Sequence, residues 1–76
     1  MSEITPANAV SVDNFLRVYR ALCPTVDDEV PVGMFAERLG WDLDRTRAVA
    51  EWLDDRGLID TDRGLGEPIT VIEGMY

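Results

Sequence analysis

A chain of 76 residues has room for one small domain with one hydrophobic core, which excludes a multidomain enzyme and any fold built on a large parallel sheet. Hydrophobic residues make up 46% of the chain and charged residues 29%, which is ordinary globular usage, so the chain is expected to fold. Fifteen acidic and seven basic residues give a net charge of −8 at pH 7, and in dilute buffer such a charge repels other polyanions at a distance.

The residue types present exclude several kinds of functional site. The chain has no histidine, and Cys23 is its one cysteine, so an internal disulfide, a Cys/His zinc site and a histidine-based catalytic relay are excluded. Cys23 precedes Pro24 at the expected end of a helix, which is the wrong end of the helix dipole for a low-pKa thiolate. The acidic run at 27–29 lacks the spacing of calcium ligands. We therefore expect no enzyme activity, no metal ion and no cofactor.

Composition also indicates where the protein works. No apolar run approaches 18 residues and no cleavable apolar segment follows a basic N-terminus, so we expect a cytoplasmic protein without a membrane span. All seven basic residues are arginine and lysine is absent. This usage is typical of salt-accumulating archaea, although a high-GC bacterium or its phage also replaces lysine with arginine. The Debye length falls from about 8 Å at physiological salt to about 3 Å at 1 M, so in brine the net charge no longer repels DNA at a distance.

The first half of the chain predicts an N-terminal arm and two helices. Residues 1–10 have no hydrophobic period and are expected to form a flexible arm, with the folded domain spanning 11–76. A first helix is predicted from an N-cap at Ser11 to Leu22, because apolar residues recur every three or four positions. A very short strand is predicted at 29–30. A second, short helix is predicted at 31–39, ending at Gly40.

The second half predicts one further helix and a hairpin. Asp42 suits an N-cap, and Gly57 suits the left-handed residue that ends a helix, so a third helix is predicted at about 43–56. Two β-type runs at 58–61 and 69–72 enclose turn residues. The expected fold class is mainly α with a small antiparallel β-hairpin.

The second and third helices contain a set of residues at a characteristic spacing. These are Ala36, Leu39 and Gly40, then Trp41 and Asp42 in the turn, Ala50 and Leu53 in the third helix, and Arg56, Gly57, Leu58 and Ile59 leading into the next predicted strand. In these residues the sequence resembles the winged helix-turn-helix of prokaryotic transcription regulators, and its composition indicates a haloarchaeal one. The resemblance spans about residues 31–60 without a gap, and the first helix and the hairpin fall where that fold places them.

The resemblance implies a small DNA-binding transcription regulator. The third helix would lie in the major groove, and the hairpin at about 58–73, the wing, would touch the DNA backbone or minor groove. The positions implied to contact DNA are Leu43, Asp44, Arg45, Arg47, Ala48 and Glu51 on the helix and Arg63 on the wing. Among them, an arginine at 47 can pair with guanine, and a glutamate at 51 can accept from a cytosine amino group.

Four of these positions also have a purely structural interpretation. Asp44 and Glu51 lie three residues before and four residues after Arg47, so the three can form an ordinary charge-balanced helix surface. Arg63, which suits insertion into a narrow minor groove, can equally be an exposed turn residue beside Asp62.

An alternative function is a winged helix that binds protein and not DNA. The charge of −8 and the acidic third helix favour it. Trp41 is expected to fill the core between the second and third helices. Trp52 lies on the flank of the third helix, where it is either covered by neighbouring elements or exposed as an anchor for a partner. Winged helices commonly dimerise through a terminal helix, and the sequence predicts none after the wing. A homodimer would therefore use the first helix, the N-terminal arm or the last strand, and a monomer is equally open.

Overall fold

Within residues 9–62 and 68–75, which the computed structural model describes, the chain forms three helices and a small antiparallel sheet. The elements in chain order are α1 (Ala9–Leu22), β1 (Glu29–Pro31), α2 (Val32–Leu39), α3 (Leu43–Asp55), β2 (Asp60–Thr61) and β3 (Val71–Glu73). The predicted fold class is confirmed: the molecule is mainly helical, and its elements have a winged-helix-like arrangement.

Helix α1 begins three residues earlier than the sequence suggested. Because it covers Ala9–Leu22, Ser11 is not its N-cap, and the part of the expected arm at 1–8 lies outside the described residues. Ser11 instead occupies the buried face of the helix with Phe15 and Tyr19, one turn apart from each other. The helix ends at Leu22, just before Cys23 and Pro24, as predicted, and the Cys23 amide still donates to the Tyr19 carbonyl at 2.8 Å.

A tight turn joins α2 and α3. Gly40 adopts the left-handed conformation with φ of 72°, and the next amide, that of Trp41, donates to the Ala36 carbonyl at 3.0 Å. This is the hydrogen-bond pattern that closes a helix around a glycine. Helix α3 then starts at Leu43, after the predicted N-cap Asp42. Pro31 occupies the N-cap position of α2 and not its first turn.

The sheet is wider than the predicted hairpin. Strand β3 lies in the centre, with β1 on one side and β2 on the other, both antiparallel to it. The predicted strand at 58–61 is shortened to β2 because the amides of Gly57 and Leu58 close the end of α3, donating to Asp54 and Leu53 at 3.0 Å each. Gly57 has the predicted left-handed conformation, with φ of 74°.

One hydrophobic core lies between the helices and the inner face of the sheet. Phe15 and Phe35 stack in its centre, with ring centroids 5.0 Å apart, and both are fully buried. The other core side chains are Tyr19, Cys23, Val32, Val49, Ala50, Leu53, Ile59, Ile69 and Ile72. Every helix contributes to the core, so α3 and the wing strands are held by the same packed interior. None of the helices described is long and apolar enough to cross a membrane.

Candidate functional site

The candidate surface starts at the first turn of α3, which is fixed by its own N-cap. The Asp42 carboxylate accepts from the Arg45 backbone N–H at 2.7 Å, and the Thr46 hydroxyl donates to the Asp42 carbonyl at 2.8 Å. The first of these bonds satisfies a backbone N–H that a helix start leaves unpaired. Asp42 is therefore accounted for as a structural residue, as its sequence position predicted.

Arg45 is exposed, and its side chain joins α3 to α1. Its Nη2 atom donates to the Ser11 hydroxyl at 2.8 Å, and its guanidinium carbon lies 4.3 Å from the centroid of the Trp41 ring. Stacking on the ring and bonding to Ser11 orient the guanidinium along the molecular surface. The sequence predicted Arg45 as a DNA contact but gave no sign of Ser11, which lies 34 positions away.

Arg47 is half-buried and joins α3 to the wing. Its Nε atom donates to the carbonyl of Ile69, just before β3, at 3.2 Å. Sequence reasoning considered only Asp44 and Glu51, its helical neighbours, as partners and missed this contact. The bond places the Arg47 side chain at the junction between the third helix and the wing.

The other predicted positions on α3 differ in accessibility. Leu43 is 38% exposed, Asp44 and Glu51 are also exposed, and Ala48 is half-buried. All of them lie on the same helix as Arg45 and Arg47, so α3 carries six of the seven predicted DNA contacts. Arg63, the seventh, lies outside the described residues.

The base of the wing is closed by one carboxylate. Asp62 accepts from the Val71 amide at 2.7 Å and from the Thr70 amide at 3.2 Å, and the Thr70 hydroxyl donates to it at 2.9 Å. Partial burial opposes ionisation of this carboxyl, but the hydrogen bonds from Val71 and Thr70 outweigh it and hold the pKa of Asp62 below its usual value. Sequence reasoning placed Asp62 in the turn without this role.

Both tryptophans are half-buried, and an arginine guanidinium lies over each ring. Trp41 packs against the core and stacks with Phe15, with ring centroids 6.3 Å apart, so the predicted core position is only partly filled by its ring. Trp52 also packs against the core, and the guanidinium carbon of Arg56 lies 3.9 Å from the centroid of its ring. Trp52 is thus neither fully covered nor fully exposed.

Among residues 9–62 and 68–75, no three metal-ligating side chains come together in a way that could hold a metal ion. Cys23 is fully buried, and desolvation, with the nearby charge of Asp28, raises the pKa of its thiol to about 11. The thiol therefore stays protonated at neutral pH, and its Sγ donates to the Ile72 carbonyl at 3.6 Å.

Comparisons of the chain with protein families, with curated proteins and with solved structures give no significant match. Function must therefore be inferred from the geometry of the chain's own residues.

Proposed function

We propose that the chain is a cytoplasmic DNA-binding protein of the transcription-regulator type, which places the N-terminal half of α3 in the major groove and the wing against the backbone or minor groove. The observation that carries the proposal is the junction at Arg47. Its bond to the Ile69 carbonyl ties the helix to the wing, so that a groove-reading helix and its wing form one surface.

The Arg47 side chain keeps the atoms that reading a base requires. The bond to Ile69 engages Nε, whereas guanine O6 and N7 can accept from the paired terminal nitrogens Nη1 and Nη2. Holding the guanidinium by its inner nitrogen also reduces the side-chain entropy that is lost on binding. Arg45, two residues earlier in the N-terminal half of α3, lies on a different side of the helix and supplies a second cation for a phosphate or a base.

The charge of the protein sets the conditions for DNA binding. Within α3, Asp44, Glu51, Asp54 and Asp55 outnumber Arg45 and Arg47 by four to two. In dilute buffer the negative charge of this helix and the net charge of −8 repel DNA and weaken binding. At about 1 M KCl the Debye length is roughly 3 Å, so the repulsion at a distance disappears while contacts made at hydrogen-bond distance persist.

The test compares three arginine substitutions on fragments selected from genomic DNA. Arg47→Ala should weaken binding by about 1 to 3 kcal/mol and change the sequence preference, because a base contact is lost. Arg63→Ala should weaken binding to most fragments by a similar factor, because it removes a backbone or minor-groove contact. Arg38→Ala on α2 is the matched control, since it removes an exposed arginine outside the proposed surface. Parent-like binding by both Arg47→Ala and Arg63→Ala would show that the assignment of the surface is wrong.

A second candidate function, a winged helix that binds a protein partner, is favoured by the acidic excess on α3 and by the half-buried Trp52 with the exposed Arg56 over its ring. Aromatic and arginine side chains are enriched at the energetic centres of interfaces. A chain that stays folded but binds no DNA at any salt, and that retains a protein through Trp52, would support this function. Sedimentation of the same samples would show whether the chain acts as a monomer or a homodimer.

A further inference from the structure

The outer face of the sheet carries a row of three carboxylates on three neighbouring strands. Glu73 in β3 lies directly opposite Glu29 in β1 and directly opposite Asp60 in β2. Directly opposite residues of antiparallel strands share one face, with Cβ atoms about 4.5 to 5.5 Å apart. We name Glu29, Glu73 and Asp60 the carboxylate row.

Burial along the strands shows which face the row occupies. Ile72 and Gly74, on either side of Glu73, are buried, whereas Glu73 itself is half-buried. Ile59 is buried and Asp60 is exposed, and Glu29 is exposed as well. The row therefore lies on the solvent side of the sheet, and the opposite side packs on the core.

The groups around Glu73 add to its negative surroundings. Glu29 approaches from β1, while Asp60 and Asp62 approach from β2 and the residue after it. From α1, Tyr19 contributes a hydroxyl that donates to the Glu73 backbone carbonyl at 2.9 Å and does not reach its charge. Desolvation, followed by the charges of Asp60, Glu29 and Asp62, raises the pKa of Glu73.

We propose that the carboxylate row is a latch, sensitive to salt and pH, that controls how firmly the two wing strands pair with each other and with β1. Like charges directly opposite each other destabilise strand pairing. Adjacent strands are about 4.8 Å apart, a spacing shorter than the Debye length of about 10 Å at 0.1 M salt and longer than that of about 3 Å at 1 M. Repulsion across the row thus loosens the sheet in dilute salt, and screening tightens it.

The latch responds to acid in the same direction as to salt. Because the pKa of Glu73 is raised in the folded state, the repulsion is fully present at neutral pH and is relieved as the pH falls through that raised pKa. Asp62 acts in the opposite sense. Its lowered pKa means that its bonds to Thr70 and Val71 are lost only when the pH falls further still. The wing is therefore held most firmly between these two pKa values.

Hydrogen exchange of individual amides tests the latch. The probes are the Asp62 amide, which donates to Val71, and the Gly74 amide, which donates to Asp28, with the buried positions Val49 and Ala50 of α3 as the reference. In 0.1 M KCl, Glu73→Gln should slow exchange of the sheet amides about threefold to tenfold, as removal of two like-charge pairs predicts. The parent should gain the same protection in 1 M KCl, and the α3 amides should gain less.

The matched control is Glu37→Gln, which removes one exposed carboxylate from α2, away from the sheet. If Glu73→Gln and Glu37→Gln protect the sheet amides equally, the row has no special effect and the latch is ruled out. Should Glu73→Gln misfold, Asp60→Asn removes one of the two like-charge pairs, that between β2 and β3, and should slow exchange of the Asp62 amide. NMR titration gives an independent readout: the pKa of Glu73 should move toward its ordinary value in 1 M KCl, and a pKa that does not move contradicts the proposal.

Discussion

At the scale of single residues, each of the two arginine–tryptophan pairs joins a surface charge to the edge of the core. Arg45 lies over Trp41 and Arg56 lies over Trp52, at 4.3 and 3.9 Å from the ring centroids. Each pair covers an aromatic face that the core leaves partly open. In a domain this small, such coverage adds to a limited hydrophobic core.

Truncation of Trp52 measures how much of its ring stabilises the fold. Replacing a fully buried tryptophan by alanine lowers the free energy of unfolding by about 3 to 5 kcal/mol, so replacing the half-buried Trp52 should lower it by about 2 kcal/mol. Chemical denaturation of Trp52→Ala measures this cost directly. Met34→Ala, at a side chain that is 46% exposed on α2, is the control and should stay within about 0.5 kcal/mol of the parent. If Trp52→Ala left stability unchanged but abolished binding of a protein partner, Trp52 would be a partner-binding residue and not a residue that stabilises the fold.

The sequence predicted several residues whose role is local and missed those whose role is distant. The N-cap Asp42, the helix end at Gly40 and the left-handed Gly57 were predicted, because a cap or a helix end is defined by its nearest neighbours, whereas the N-cap expected at Ser11 was wrong. The bonds from Arg45 to Ser11 and from Arg47 to Ile69 were not, because they span 34 and 22 positions. Such contacts depend on how the helices pack, which no local pattern encodes.

At the scale of elements, the wing is attached to the molecule by side-chain hydrogen bonds as well as by the backbone hydrogen bonds between its strands. Strand β2 has only two residues, Asp60 and Thr61. The Thr61 hydroxyl donates to the Asp54 carboxylate at 2.8 Å, and Asp62 closes the other end of the strand on Thr70 and Val71. These bonds compensate for a ladder that is too short to hold the wing alone.

Removal of the Asp62 carboxylate should loosen the wing. Asp62→Ala loses several partly exposed hydrogen bonds and should cost about 1 to 2 kcal/mol of unfolding free energy. The effect should be present at neutral pH and disappear as the pH falls through the lowered pKa of Asp62, because the parent then loses the same bonds. Denaturant unfolding at several pH values measures both. Asp27→Ala, an exposed loop carboxylate, is the control, and an equal cost from it would contradict the role of Asp62.

The ends of the helices were predicted within three residues, while the sheet was only partly predicted. A helical stripe of apolar residues carries its own period, whereas the pairing of β1 with β3 brings together residues about 40 positions apart. The short strand at 29–30 was expected, but its place beside the last strand was not. The carboxylate row was missed for the same reason, since its three members come from three separate stretches of the chain.

At the scale of the whole molecule, the net charge of −8 is the dominant electrostatic feature. Self-repulsion of this size destabilises the compact state in dilute buffer. If screening adds about 1 to 2 kcal/mol to the free energy of unfolding, raising KCl from about 0.1 M to above 1 M should raise the melting temperature by about 5 to 15 °C. Circular dichroism melts across that range test the halophilic interpretation, and a flat or falling melting temperature contradicts it.

DNA binding by α3 and the wing is the central claim, and fluorescence anisotropy of labelled genomic fragments tests it most directly. The parent protein is titrated from 0.1 M to about 2 M KCl, with circular dichroism at each salt to show that the chain is folded. We expect saturable binding with a sequence preference above about 1 M KCl and weaker binding in dilute buffer, where the net charge repels DNA. A folded chain that binds no fragment above a random-sequence control at any KCl concentration would contradict the claim.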